Sequence, residues 1–216
     1  MPRPLAVAVL GSTATGKSAL ALALAERFGG EIINCDSTAV YRGFDIGTDK
    51  ISVADRRGIP HHLIDVVADP TEEYTAARYA RDAAAAIRDI HARGRLPILA
   101  GGTGFYYRAL TRGLFPGPGR CAPLRQRLED LSAKRGVALL HRMLARVDPP
   151  SASRIQPNDL KRMVRALEVF YLTGRPLTEH FAETASPIPE VHVMGIAVRL
   201  PAAAISERVT QRVDEQ

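Results

Sequence analysis

The stretch that decides the fold is LAVAVLGSTATGKSALALALAERFGG, residues 5–30. Its first part, residues 5–10, is an apolar run without helical periodicity, which is typical of a strand buried on both faces of a parallel sheet. Its last part, from Lys17 to Phe28, places leucines among alanines and predicts a helix that ends at the Gly29-Gly30 pair. A strand, a glycine-rich turn and a helix in this order indicate an α/β protein.

The turn between strand and helix, residues 11–18, matches the pattern G-x-x-x-x-G-K-[ST] in the context that its mechanism requires. Backbone N–H groups of such a loop converge on phosphate oxygens, while Lys17 supplies a positive charge and Ser18 holds Mg²⁺. We therefore expect Mg²⁺ as cofactor and a phosphate-binding loop, which by itself fits a nucleotide or another diphosphate. The predicted diphosphate-binding residues are Gly11, Ser12, Thr13, Ala14, Thr15, Gly16, Lys17 and Ser18.

The pattern of strands and helices continues beyond this unit. We predict strands at 31–36, 60–67 and 96–102, and an alanine-rich helix from Glu72 to Arg93. The Gly/Pro cluster at 115–119 marks a boundary, after which no strand is predicted until residues 191–200. The predicted fold is a P-loop NTPase-like parallel sheet flanked by helices, with a core of residues 1–119 and 191–216 and a helical insertion at 120–190.

The clearest helix of the insertion begins near Asn158, which we predict as its N-cap, and ends at Gly174. Its spacing assigns one apolar stripe to the core and the charged side chains to other faces of the helix. The apolar stripe consists of Leu160, Met163, Val164, Leu167 and Phe170. The side chains predicted to point elsewhere are Lys161, Arg162, Arg165 and Glu168.

The positive charge of the chain is concentrated in the insertion. The formal net charge is +6, and residues 120–175 carry 12 basic residues against five acidic ones. A basic segment of this kind suits a polyanion such as a nucleic acid. The alternative interpretation is a set of solvated helix faces in which arginine is the common basic residue.

Composition excludes several classes of protein. The chain has 216 residues, 46% of them hydrophobic and 24% charged, which is enough to bury a core without metal or disulfide. No apolar run approaches the roughly 18 residues of a membrane span. The two cysteines, Cys35 and Cys121, favour a reducing compartment, so we expect a cytoplasmic protein. We also expect a monomer. The apolar stripe of Ile205, Val209 and Val213 stops abruptly, and we expect a truncated sequence.

Asp36 is the candidate acid of the site. It follows the second strand, at the sheet edge where open α/β sheets bind ligands. Its carboxylate there binds Mg²⁺ through water or takes a proton from an acceptor. The alternative is a helix cap or turn cap formed by Asp36 and Ser37.

The GGTG segment at 101–104 follows another strand. Its glycines permit close backbone approach, and the Thr103 hydroxyl reaches either a ligand or the following helix as a plain N-cap. Tyr106 and Tyr107 stack on a base or, in the interpretation we favour, pack against the sheet. The His61-His62 pair has no metal-type partner spacing and fits a strand edge.

These motifs together resemble the tRNA dimethylallyltransferases, also called tRNA isopentenyltransferases. The similar segments extend over almost the whole chain. They are GSTATGKS at 11–18, DSTAVYRGFDIGTDK at 36–50, PHHLIDV at 60–66, GGTGFYYRAL at 101–110, RVDPPSASRIQPND at 146–159 and KRMVRALEVFYLTG at 161–174. The resemblance implies transfer of a dimethylallyl group from dimethylallyl diphosphate to the exocyclic amine of the adenosine on the 3′ side of the anticodon, releasing diphosphate.

The resemblance also implies site roles. Asp36 matches the general base, and catalytic roles for Lys17 and Thr103 are implied beside it. The metal ligand is Ser18, the loop holds the prenyl donor, and no membrane partner is expected. The positions that match tRNA contacts are Asp36, Ser37, Thr38, Ala39, Thr103, Arg125, Lys161, Arg162, Met163, Val164 and Arg165.

Three other functions share parts of the pattern. A P-loop kinase for small molecules has the same loop and strand-end carboxylate, but it gives the basic insertion no role. An adenylate isopentenyltransferase prenylates a free nucleotide instead of tRNA. A nucleotide-switched RNA-binding module has the loop and the charge without chemistry.

Overall fold

The computed structural model describes residues 3–45, 48 and 50–214. The chain forms two compact units. The first runs to Gly113 and resumes at Ser186, and the second is Leu114–Ala185.

The first unit is built on a parallel sheet, as predicted. Within the described residues the sheet has five strands, in the order β3-β2-β4-β1-β5. All of the strand pairs are parallel, so the carboxyl ends of the strands lie along one edge. The strands are β1 (Leu5–Gly11), β2 (Gly30–Asn34), β3 (His61–His62), β4 (Leu96–Gly101) and β5 (His192–Val198).

Helices connect the strands of the first unit and form the second unit. They are α1 (Lys17–Phe28), α2 (Ala76–Ala92), α3 (Gly104–Arg112), α4 (Ala122–Arg135), α5 (Val137–Val147), α6 (Pro149–Arg154), α7 (Leu160–Thr173), α8 (Leu177–His180) and α9 (Ala202–Asp214). Helix α1 has the predicted bounds, whereas α2 begins four residues after the predicted Glu72. The reason is an N-cap at Thr75, whose hydroxyl accepts a hydrogen bond from the Arg78 N–H at 3.2 Å.

One core cluster of the first unit lies between α1 and the sheet. Small and branched apolar side chains of the two elements form one cluster. Because both faces of the central strands are covered, these strands contain continuous apolar runs instead of an alternating pattern. The buried members of the cluster are Val7, Val9, Ala21, Leu22, Ala25, Ile32 and Ile98.

The third strand is much shorter than the predicted 60–67. Only His61–His62 pairs with β2, because the backbone of Leu63 and Asp65 is left-handed, with φ of 61° and 58°. Such residues cannot continue a strand. Val67 returns to extended backbone and makes an isolated parallel bridge to Tyr41.

The second unit is helical, and its boundaries precede the predicted ones by several residues. The segment 115–119 belongs to this unit, since the Arg165 side chain donates to the Pro118 carbonyl at 2.9 Å. Residues 186–190 belong to the first unit, where Arg88 donates to the Pro187 carbonyl and pairs with Glu190 at 2.9 Å.

Helix α7 is the central helix of the second unit. Its N-cap is Asp159 and not the predicted Asn158, since the Asp159 carboxylate accepts from the Arg162 N–H at 3.2 Å. The helix ends at Gly174, whose φ of 71° is the left-handed C-cap conformation. The buried core around α7 consists of Leu128, Leu140, Leu144, Ala152, Met163, Val164, Ala166, Leu167, Val169 and Leu177.

Candidate active site

The glycine-rich turn connects β1 to the N-terminus of α1. Ala14 and Gly16 have left-handed backbone, with φ of 63° and 88°, and this folds the loop back over the helix end. The Thr15 hydroxyl and the Lys17 ammonium both donate to the Ser12 carbonyl, at 2.9 Å and 2.5 Å. The N-cap residue of α1 is Gly16, and among the described residues no side chain is seen to cap the first turn, so its N–H groups are available to an anion.

Gly11 has a different reason to be glycine. A Cβ atom at this position would lie 2.5 Å from the Val198 carbonyl oxygen of the neighbouring strand β5. The residue therefore lets two strands pack closely at the base of the loop. Its contribution to the site is indirect, through the position of the loop.

The loop opens into a cavity of about 490 Å³, and Asp36 lines the same cavity. This juxtaposition is the one that the sequence predicted for the acid at the end of β2. Of the predicted diphosphate-binding residues, Gly11, Ser12 and Thr15 do not line the cavity. The lining residues are Thr13, Ala14, Gly16, Lys17, Ser18, Ala19, Ala21, Ile32, Asn34, Asp36, Ala39, Thr48, Lys50, Ile51, His61, Ile64, Ala100, Gly101 and Arg208.

The Asp36 carboxylate is held by the next turn. Its Oδ1 accepts hydrogen bonds from the Thr38 N–H at 2.9 Å and from the Thr38 hydroxyl at 2.7 Å. Within residues 3–45, 48 and 50–214, Oδ2 has no hydrogen-bond partner. Asp36 thus forms the turn cap that was the alternative interpretation, and it is also a lining residue of the cavity.

Thr103 is the N-cap residue of α3, as one of the two interpretations had it, but its hydroxyl makes no capping bond to the helix. Its hydroxyl instead accepts from the Ser37 N–H at 3.0 Å and donates to the Ser37 hydroxyl at 3.3 Å. The two strand ends can meet because Gly101 has no side chain: a Cβ there would lie 2.1 Å from the Cys35 carbonyl oxygen. Thr103 therefore fastens the segment that follows Asp36, and it lies outside the cavity lining.

The aromatic and histidine residues of the first unit have structural partners. Tyr106 is buried and stacks on Tyr79, with ring centroids 4.2 Å apart, so packing against the sheet is confirmed for this residue. His62 contacts Glu31 at 2.7 Å. A hydrogen bond from Arg93 is the main cause that lowers the pKa of Glu31, against the opposing effect of burial. His61 borders the cavity, and burial lowers its pKa.

The cavity residues that the sequence did not predict include the polar side chains of Lys50, Arg208 and Asn34. Lys50 is almost fully buried and pairs with Asp65 at 2.7 Å and Asp45 at 2.8 Å. Burial opposes the charge of Lys50, but these two carboxylates outweigh it and raise the pKa. Arg208 on α9 reaches the Ala14 carbonyl at 3.4 Å. The sequence signal for Arg208 is a basic residue on α9, the helix that follows β5, because β5 ends beside the phosphate loop. Asn34, at the end of β2, also lines the cavity.

The predicted RNA-contacting residues of the second unit divide into two groups. Lys161 and Arg162 are exposed, and Arg162 pairs with its neighbour Asp159 at 2.9 Å. Met163 and Val164 are buried in the helical core, with 0% and 1% exposure. Their side chains pack inside the core of the second unit, and the RNA contacts at these two positions stay a prediction.

Arg125 and Arg165 converge on Glu168, which the periodicity placed on another face but which is 0% exposed. Arg125 makes a two-pronged contact, Nε and Nη2 each at 2.9 Å, and Arg165 donates at 2.7 Å. The Cys121 N–H adds a bond of 2.7 Å. Burial would raise the pKa of Glu168, but these bonds, led by Arg125, lower it to about 2. We call this set of residues the Glu168 cluster.

No group of three or more His, Cys, Asp or Glu side chains within the described residues could hold a metal ion by itself. Mg²⁺ does not need such a cage, since it usually keeps several waters and binds one or two protein oxygens plus substrate phosphates. The Ser18 hydroxyl in the first turn of α1 and the Asp36 carboxylate both line the cavity. The site therefore fits Mg²⁺ as a companion of a bound diphosphate.

The parallel sheet and the phosphate loop define the class: this is a P-loop NTPase-like α/β protein with a ligand cavity at the strand ends. Among solved structures, it is similar to the tRNA isopentenylpyrophosphate transferase of Bacillus halodurans, with a TM-score of 0.61 and 39% identity over 99% of this chain and 65% of that one. It is also similar to a eukaryotic dimethylallyltransferase captured acting on tRNA, with a TM-score of 0.73 and 31% identity over 98% of this chain and 53% of that one.

Curated relatives agree with the structures. The tRNA dimethylallyltransferase of Solibacter usitatus is 60% identical over 82% of this chain and 57% of its own length. That of Koribacter versatilis is 46% identical over 100% of this chain and 70% of its own length. The family model of the IPP transferases matches residues 39–216. The chain belongs to the IPP transferase family, and it spans between 57% and 70% of these two relatives.

No helix within the described ranges combines the length and apolar character that crossing a membrane requires.

Proposed function

We propose that the protein transfers a dimethylallyl group from dimethylallyl diphosphate to the exocyclic N6 amine of the adenosine on the 3′ side of the anticodon in tRNA. The observation that carries the proposal is that the phosphate loop and Asp36 line one cavity of about 490 Å³ in a chain of the IPP transferase family. An allylic diphosphate requires a site that binds its anionic phosphates. An amine acceptor requires a carboxylate in the same space that can take its proton.

The loop is the donor side of the site. When the allylic carbon–oxygen bond breaks, negative charge grows on the departing diphosphate. The N–H groups at the start of α1 and the Lys17 ammonium are fixed in place before the reaction, so they stabilise this charge without reorganisation. Ser18 would hold Mg²⁺ beside the diphosphate, and a bound Mg²⁺ supplies further neutralisation of the same charge.

Asp36 is the acceptor side of the site. An aromatic amine is a weak nucleophile, so its proton must leave as the carbon–nitrogen bond forms. Thr38 fixes the Asp36 carboxylate through Oδ1 and leaves Oδ2 without a partner among the described residues. This oxygen can accept a hydrogen bond from the amine, orient it and remove its proton.

The tRNA is the proposed partner. Its target base must leave the anticodon stack, which costs a few kcal/mol that contacts to flanking nucleotides offset. We assign these contacts to the segment 36–39, to Thr103, and to the cationic positions Lys161 and Arg162, all outside the helical core. We further propose that the protein acts as a cytoplasmic monomer.

The experiment is mass spectrometry of an anticodon stem-loop after incubation with protein, Mg²⁺ and dimethylallyl diphosphate. A mass gain of one dimethylallyl group on the adenosine beside the anticodon is expected. Parallel reactions replace the RNA by AMP, or the donor by ATP with small hydroxyl acceptors. Product on AMP in place of RNA, or phosphoryl transfer without prenylation, would refute the proposal in favour of an adenylate isopentenyltransferase or a kinase.

A further inference from the structure

Asn34 is a buried polar residue at the end of β2, and its side chain makes three hydrogen bonds. It is 7% exposed and lines the cavity two positions before Asp36. Its Oδ1 accepts from the Asp36 N–H at 3.1 Å, while Nδ2 donates to the Asp36 carbonyl at 3.0 Å. One side chain thus holds the backbone on both sides of the Asp36 α-carbon.

The second bond of the Asn34 amide ties this arrangement to another segment. Nδ2 also donates to the carbonyl of Leu63 at 3.0 Å. Leu63 is one of the left-handed residues after β3, and the Asp65 N–H donates to the Ala39 carbonyl at 3.2 Å. The buried Lys50 ammonium contacts Asp65 at 2.7 Å. Asn34 therefore connects Asp36 to a segment that is itself fixed at two further points.

The two anchors of Asp36 act on different parts of the residue. Thr38 holds the carboxylate oxygen Oδ1, and Asn34 holds the backbone that carries the side chain. We propose that Asn34 is a positioning residue that sets the distance between Asp36 and the acceptor amine. This inference rests on the proposed function, because it assigns Asn34 an effect on the rate through Asp36 and no contact with the reacting atoms. Misplacement of a reacting group by about 1 Å costs on the order of 100-fold in rate.

The kinetic test compares two variants of the full chain. Asn34→Ala removes all three bonds, and we expect kcat to fall by about tenfold to a hundredfold, with KM for dimethylallyl diphosphate and Kd for tRNA within about twofold. In Asn34→Ser the short hydroxyl can still accept from the Asp36 N–H, as serine does in local turns, but cannot reach Leu63. Its kcat should lie between those of wild type and Asn34→Ala, and it remains measurable if Asn34→Ala does not fold.

The control is Thr75→Ala, which weakens the same unit by removing the N-cap of α2, outside the cavity. It should lower the melting temperature and leave kcat unchanged. An unchanged kcat in Asn34→Ala would overturn the inference. A second result would also overturn it. In that result both variants lose kcat and binding together, each in proportion to its loss of stability.

A measurement independent of turnover separates this inference from the proposed function. Hydrogen exchange of the Asp36 amide should be at least about tenfold faster in Asn34→Ala, because this N–H loses its acceptor. Equal exchange in both proteins would overturn the positioning role. If the wild-type protein gives no prenylated RNA while exchange increases as expected, the proposed function fails and the anchoring of Asp36 stands.

Discussion

The cavity of the α/β unit and the Glu168 cluster of the helical unit use charged and polar groups in opposite ways. In the cavity, the N-terminus of α1 has no side-chain cap, and one oxygen of Asp36 has no partner among the described residues. In the Glu168 cluster, the carboxylate is 0% exposed and accepts from two arginines and one backbone N–H. The first region retains hydrogen-bonding capacity for a ligand, and the second uses that capacity inside the protein.

This difference shows how to interpret the positive charge of the helical segment. Two of the arginines that the sequence assigned to RNA, Arg125 and Arg165, bind Glu168 and help to hold α4, α7 and the segment at 118–121 together. Lys161 and Arg162 are exposed on the same helix α7. We therefore expect substitutions in the cavity to affect chemistry, those in the Glu168 cluster to affect stability, and those at exposed cations to affect RNA binding.

The largest effect is expected at Asp36. Asp36→Ala should lower kcat by about 100-fold to 10,000-fold, the usual contribution of a general base, and leave tRNA binding within a few-fold. Asp69→Ala is the matched control, because Asp69 Oδ1 accepts from the Thr71 N–H and hydroxyl at 2.8 Å and 2.7 Å, the same turn as Asp36 with Thr38. Single-turnover assays measure the rate of each variant, and filter binding measures its affinity for tRNA. Equal losses of rate in the two variants would mean that Asp36 acts only as a turn cap. If Asp36→Ala lost tRNA binding as much as rate, the result would argue for an RNA-binding module.

Removal of the Glu168 carboxylate should affect folding more than any surface charge does. Glu168→Ala leaves two arginines without their partner and should lower the free energy of unfolding by about 3 kcal/mol, since breaking a buried pair is strongly destabilising. Glu179→Ala removes an exposed partner of Arg175 at 3.6 Å and should cost about 1 kcal/mol or less. Urea denaturation of both variants gives the comparison. Similar costs would mean that the Glu168 cluster is not a stabilising element.

Lowering the pH should remove the stability that the Glu168 cluster contributes, over a defined pH range. The pKa of Glu168 is lowered to about 2 in the folded protein, below the value of about 4.3 in an unfolded chain. Its contribution to stability is therefore complete above the unfolded pKa and is lost as pH falls through the range toward 2. Glu168→Gln should show a shallower fall in stability than wild type between pH 5 and 2, roughly the span of these two values. Parallel pH profiles for the two proteins would contradict this assignment.

The smallest effect is expected for single exposed cations. Arg162→Ala should weaken tRNA binding modestly and reduce the slope of log K against log salt by about one, while donor affinity stays unchanged. Arg27→Ala is the control, because this exposed arginine lies in the last turn of α1, at the end opposite the phosphate loop. Its salt slope should equal that of wild type. If both variants keep the wild-type slope, α7 does not contact the phosphate backbone of the RNA.

The first unit was largely predictable because its signals are local. The apolar run of β1, the glycine-rich turn and the alanine-rich helix α1 are contiguous, and α1 has the predicted bounds. Asp36 was found because the strand ends of a parallel sheet lie at one edge. The IPP transferase family was recognisable from motifs spread along the chain, and the family model confirms it.

The remaining features depend on contacts that the sequence does not encode locally. Glu168 has helical spacing typical of an exposed position, but its partner Arg125 is 43 residues away. The predicted strand at 60–67 ends early because Leu63 is left-handed, and an ordinary leucine gives no sign of this. Lys50 and Asn34 reach the cavity through tertiary contacts with Asp65 and Leu63.

The most direct test of the central claim is a crystal structure with dimethylallyl thiodiphosphate, a slowly reacting donor analogue, and an anticodon stem-loop. The diphosphate should lie within about 3 Å of the loop N–H groups, with the allylic carbon and the adenine amine between the loop and Asp36. A diphosphate bound away from residues 13–18, or an amine turned away from Asp36, would contradict the account.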